Sequence, residues 1–162
     1  MTLILAPSSP RGWFGGRALA MRDALEVRGS LGLREAGDAL EATFAGAGPP
    51  LTAALVTYEG AATVLTYAAE IAPLSLAPAA RGFATPLVLE PAMSSAEAYR
   101  AGVETVRERI AAGDVYVLNL THAVTGAAVL PPAETFAALL ARAGSDMSAY
   151  LETPGATLAS VS

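Results

Sequence analysis

The chain has 162 residues, enough to bury a core in one domain or in one and a fraction. Its net charge is −5 and all ten cations are arginine, without basic clusters or interleaved aromatics, which argues against a nucleic-acid or anionic-membrane surface. Cysteine is absent, so disulfide and thiolate chemistry is excluded.

In chain order, Thr2 to Ala6 reads as a short strand ended by the Pro7-Ser8-Ser9-Pro10 turn cluster. Met1 to Gly15 has no basic region ahead of a long apolar core, so no secretory signal is read there. Arg17 to Val27 has helix-favouring composition but flanking glycines, which leaves it open between helix and extended chain. Leu33 to Ala45 is predicted helical, with Leu33, Ala36, Leu40 and Phe44 along one side and the run from Gly46 to Pro50 ending it. Leu51 to Tyr58 reads as a buried strand. Residues 59–92 carry several prolines and short apolar runs, including Pro86-Leu87-Val88-Leu89, and read as irregular connections with one or two strands.

Ser94 to Ala112 is predicted as a helix opened by a capping box, Ser94 with Glu97. Tyr99, Val103, Val106 and Ile110 form its apolar stripe, and Glu97, Arg100, Glu104, Arg107 and Glu108 its solvated side. Gly113 supplies the left-handed stop. Asp114 to Thr125 then reads as a strand, because Val115 to Leu120 is rich in β-branched and aromatic residues. Pro132 suits a first helical position, followed by the face Phe136, Leu139, Leu140 and Ala143 and the stop Gly144. Ser148 to Glu152 and Ala156 to Ser162 read as paired strands around the Pro154-Gly155 turn. A chain ending inside such a strand is unusual for a complete domain. The expectation is therefore a boundary near Met93, with residues 1–93 as an N-terminal region and residues 94–162 as the incomplete beginning of a second one.

No apolar run reaches the roughly 18–20 residues that span a bilayer, so no membrane partner is expected and a cytoplasmic location is the default. Mean hydropathy is nonetheless +0.45. Alanine-rich composition explains that, and so does a larger core whose covering elements lie elsewhere; the residues leave both open.

Few side chains carry chemistry. His122 is the only histidine and has no second histidine or cysteine to share a metal, so a strand histidine satisfied by backbone accounts for it. Asn119 is the only asparagine, and strand alternation would place it on one face with Val117 and Thr121, bridging strands or a loop backbone. Glu59, beside Tyr58, is a strand-end charge or a buried carboxylate. Ser8-Ser9 and Ser145-Asp146 lack a base to activate a hydroxyl. Gly15-Gly16 lacks the strand-glycine-helix setting of a phosphate cradle. Glu104 and Glu108 belong to a solvated charge pattern with nearby arginines.

Ile110-Ala111-Ala112-Gly113-Asp114-Val115-Tyr116-Val117-Leu118-Asn119-Leu120 resembles the opening of the chorismate-binding domain in chorismate-utilising enzymes. It is similar above all to the aminodeoxychorismate synthase component I branch, with anthranilate synthase component I as a near relative. The resemblance continues through Phe136 to Leu140, Ser148 to Leu151 and Leu158 to Ser162. Upstream, it takes in Leu55-Val56-Thr57-Tyr58-Glu59-Gly60. The family commonly has Gln where this chain has Val117. Asn119-Leu120 favours the aminodeoxychorismate branch over the anthranilate one.

The resemblance implies an α+β fold, part of a truncated two-sheet α/β sandwich. It also implies chorismate as substrate, its 4-hydroxyl replaced by an amine on the way to 4-aminobenzoate and folate. Ammonia would come from a glutamine amidotransferase subunit, and Mg²⁺ would hold the substrate carboxylate in the full-length enzyme. In that branch a lysine attacks the ring, and this chain has no lysine. The family's acidic metal-binding and histidine-bearing motifs lie beyond Ser162, so no residue here is assigned a catalytic, cofactor-binding or metal role. The fragment alone is expected to be inactive. The family's tryptophan-binding segments have no recognisable counterpart, so no tryptophan site is expected. The alternatives are a fragment of anthranilate synthase component I and a non-enzymatic module that binds an amidotransferase.

Overall fold

The computed structural model describes residues 1–7, 9–47, 51–68, 72–73, 87–90, 96–121 and 123–161. The capping box at Ser94, the single His122 and Ser8 lie outside them. Contacts divide the chain into two units, Met1–Phe83 with Pro132–Ser162, and Ala84–Pro131. Each combines helix with small antiparallel sheet, an architecture compatible with a chorismate-binding domain.

The first unit contains β1 (Leu3–Ala6), β2 (Leu19–Met21), β3 (Glu26–Leu31), α1 (Leu33–Phe44), β4 (Leu51–Val56), β5 (Ala62–Tyr67) and β6 (Ala72–Pro73). The second contributes β7 (Leu87–Leu89), α2 (Ala96–Ala112) and β8 (Gly126–Ala128). The chain returns to the first unit through α3 (Pro132–Ala143), β9 (Ser148–Glu152) and β10 (Thr157–Ser160).

Strand alternation accounts for the layers of the first unit. Five strands pair in the order β10-β9-β1-β2-β6, and three in the order β3-β5-β4. Leu3, Met21 and Leu151, from one face of the larger sheet, cluster with Leu65 and Tyr67 of the smaller one. The residues between them, Ile4, Ala6, Ala20 and Tyr150, point the other way and cluster with Phe136 of α3. On the smaller sheet Val64 and Ala62 face Ala36 of α1. Complete burial of a side chain such as Leu65 or Phe136 is worth about 1.5–3 kcal/mol.

Several expectations are corrected in detail. β5 emerges from the stretch read as mainly irregular; it is buried on both faces, so it carries no alternating pattern to reveal it. β4 is the half-buried edge of its sheet rather than a buried strand. Residues 17–27 are not helical: they supply β2 and the start of β3, joined by a bend in which Asp23 takes a φ of 53°. α1 occupies the predicted span, but its buried side is centred on Ala36, with Ala39 half-buried, while Leu33 and Phe44 are exposed. Small residues let the helix lie close on β4 and β5, where the Thr43 and Thr52 hydroxyls also hydrogen-bond. In α3, Thr135, Phe136 and Ala138 are buried and Ala143 is exposed.

Candidate functional site

The family-like block lies in the second unit. α2 ends where predicted: Gly113 takes a left-handed φ of 81°, and its N–H donates to the Ile110 carbonyl at 3.1 Å. The Asp114 carboxylate accepts from Arg109 Nη1 at 2.8 Å, and the Asp114 N–H donates to the Arg109 carbonyl at 3.0 Å, so the helix end is tied from both sides. Residues 115–121 do not form the expected strand. They make no ladder with another described strand, and the short β8 begins only at Gly126. Residues rich in β-branched side chains form a strand only where a partner satisfies their backbone.

The segment instead folds back along α2. Leu120 packs against Gly102, where an added Cβ would stand 2.9 Å from Leu120 Cδ2. The Tyr99 hydroxyl reaches the Leu120 carbonyl at 3.5 Å, the long limit for such a bond. Between helix and segment lies a groove of about 510 Å³ lined by Tyr99, Val103, Val106, Arg107, Leu118, Asn119, Leu120 and Thr121. Its size suits a small ligand. Its chemistry is mostly apolar, and Arg107 is engaged by both oxygens of Glu104 at 3.0 and 3.1 Å. Asn119 lines the groove as an exposed amide rather than bridging strands. Val117, at the family's Gln position, is 79% exposed.

The other sequence candidates do not gather. Tyr58 and Glu59 are exposed in the turn joining β4 to β5. Ser9 Oγ accepts from the Arg11 N–H at 3.2 Å, and the Asp146 carbonyl accepts from the Trp13 N–H at 3.4 Å. Gly16 closes a short 3-10 turn, its N–H donating to the Trp13 carbonyl at 2.9 Å. Among the described residues no three His, Cys, Asp or Glu side chains gather to hold a metal. No helix among them is long and apolar enough to cross a membrane.

A polar cluster that the sequence did not reveal lies in the first unit. Tyr150 donates its hydroxyl to Glu152 Oε1 at 2.7 Å, and the Thr2 N–H donates to Glu152 Oε2 at 3.0 Å. Burial pushes the Tyr150 phenol up to about 12, reinforced by its bond to Glu152 and that carboxylate's charge and opposed by Thr157. Burial, then the Glu152 charge, raises Tyr67 to about 12 as well. The only advance signal was the spacing of Tyr150 and Glu152, which places both on one strand face.

Comparison with known proteins gives the remaining finding. A family model described as chorismate binding enzyme matches residues 56–162, which includes the whole second unit and the α3-to-β10 return. No curated protein and no solved structure matches. With well over half of its length matched, the chain belongs to the chorismate-binding enzyme family.

Proposed function

We propose that these residues are the opening portion of aminodeoxychorismate synthase component I, which replaces the 4-hydroxyl of chorismate with an amine drawn from a glutamine amidotransferase subunit. Residues 1–93 would form its N-terminal region and residues 94–162 the start of its chorismate-binding domain, the layers being part of that family's two-sheet α/β sandwich. The observation that carries this reading is the run from Ile110 to Leu120, with its glycine stop at Gly113 and its Asn119-Leu120 pair. The mostly apolar groove that this pair lines supports a shaping role for these residues.

The test is product identity. The native gene product, incubated with chorismate, Mg²⁺ and ammonium or with glutamine and the amidotransferase, should yield 4-amino-4-deoxychorismate. Residues 1–162 alone should yield no aminated product. Formation of anthranilate, or turnover by the 162 residues themselves, would overturn the reading.

A further inference from the structure

β1 is the first strand of the chain and the middle strand of its sheet, inserted between β2 and β9. Its register runs from Leu3 opposite Leu151 to Ala6 opposite Ser148. One step before Leu3, a side chain takes over part of the ladder. The Glu152 N–H donates to the Thr2 carbonyl at 2.9 Å, and the Thr2 N–H returns a bond to Glu152 Oε2 at 3.0 Å. The second carboxylate oxygen, Oε1, is held by the Tyr150 hydroxyl at 2.7 Å. Two residues 150 positions apart are thus closed into a ring by one carboxylate.

We infer that Glu152 is a latch: its ionised carboxylate holds the N-terminal strand in the centre of the five-stranded sheet. An ionised carboxylate only accepts, and here both oxygens face donors. Protonation removes the charge: a proton on Oε1 turns the Tyr150 bond round, with the phenol oxygen accepting, and both charge-assisted bonds weaken to neutral ones.

The groups facing the carboxylate favour the charged form. Tyr150, on its own strand, holds Glu152 below its ordinary value; burial opposes this, and the Thr2 hydroxyl, the Thr2 N–H and the positive amino terminus reinforce it. From β5 comes Tyr67, whose buried hydroxyl makes no hydrogen bond among the described residues and feels the Glu152 charge. From β10, Thr157 acts on Tyr150 rather than on the carboxylate. A carboxylate held low in the folded state contributes stability that is present above the unfolded value and lost as pH falls through the folded one. The latch therefore opens on the acid side.

The inference is independent of the proposed function, and amide exchange tests it. Protection factors at residues 3–6 would be compared with those at residues 62–67 in wild type, Glu152→Gln and Tyr150→Phe. At neutral pH, Glu152→Gln should speed exchange at residues 3–6 by roughly tenfold or more, the loss expected for a hydrogen-bonded charge, with residues 62–67 changing less. On acidification the wild type should approach the variant, whose protection stays flat. Tyr150→Phe keeps the Thr2 bond, so its acid loss should move up toward the ordinary carboxylate range. Equal protection at neutral pH, the same acid profile in Glu152→Gln, or an unmoved acid midpoint in Tyr150→Phe would each overturn the latch. If Glu152→Gln fails to fold, the Tyr150→Phe midpoint decides alone.

Discussion

α3 and α2 carry the same kind of amphipathic pattern and end on the same glycine device, yet they have opposite fates. On α3 Thr135, Phe136 and Ala138 are buried, with Phe136 fully inaccessible and its ring tilted 35° against Tyr150, ring centres 5.6 Å apart. On α2 no residue is buried, and Tyr99 and Ile110 remain 39% and 43% exposed. The difference holds for the whole of each unit. Every buried hydrophobic side chain among the described residues belongs to the first unit, while Tyr116, Val117, Val88 and Leu89 of the second are largely exposed. Periodicity marks the face that can be buried; an opposing layer decides whether it is.

The largest effect that could break this comparison comes from cutting one residue out of each helix. Phe136→Ala should cost about 3–5 kcal/mol in a denaturant melt, by lost transfer energy and the cavity left behind. Val106→Ala, at the groove of α2, should stay within roughly 0.5–1 kcal/mol. Equal losses would mean that both faces are packed alike.

Alkaline titration sharpens the same contrast. Tyr67 and Tyr150 both lie in the first unit and are pushed up to about 12. Because the raised groups are neutral when they stabilise the fold, their contribution is complete below the unfolded phenol value of about 10 and is lost as pH rises through about 12. Melting temperature should fall across that window, and Tyr67→Phe should flatten part of the fall. A profile unchanged in Tyr67→Phe would show that this phenol is not held neutral by the core.

The smallest expected effect is local. Gly102→Ala puts a methyl against the flexible end of Leu120, so residues 118–121 should shift by a few tenths of an ångström while the global melt is unchanged. Chemical shifts of those residues would register it. A large loss of global stability would place this groove in the main core.

Local signals were legible where one residue type settles the matter. Gly113 and Gly144 end their helices with positive φ as their positions suggested, and Pro154-Gly155 turns β9 into β10. Pairing was less legible. Ala62 to Tyr67 forms a central strand because layers cover both of its faces, whereas Val115 to Leu120, also rich in β-branched and aromatic residues, makes no ladder. No local reading could choose between them, since the partners of β5 lie in β3 and β4. The same limit hid Glu152. Tyr150 is its neighbour on the strand, but Thr2 reaches it only through the long-range register of β1 with β9. In the groove, Tyr99, Val103 and Val106 come from the stripe predicted on α2, whereas Ile110 does not line it, Arg107 comes from the side expected to be solvated, and the segment opposite was expected as a strand.

Peptide-resolved amide exchange on the native chain tests the contrast between the two units most directly. Residues 62–67 and 148–152 should exchange only through global unfolding, and residues 97–112 at least tenfold faster through local opening. Equal protection in the two regions would contradict the account, because no described residue of α2 is buried while the strands at 62–67 and 148–152 carry buried side chains.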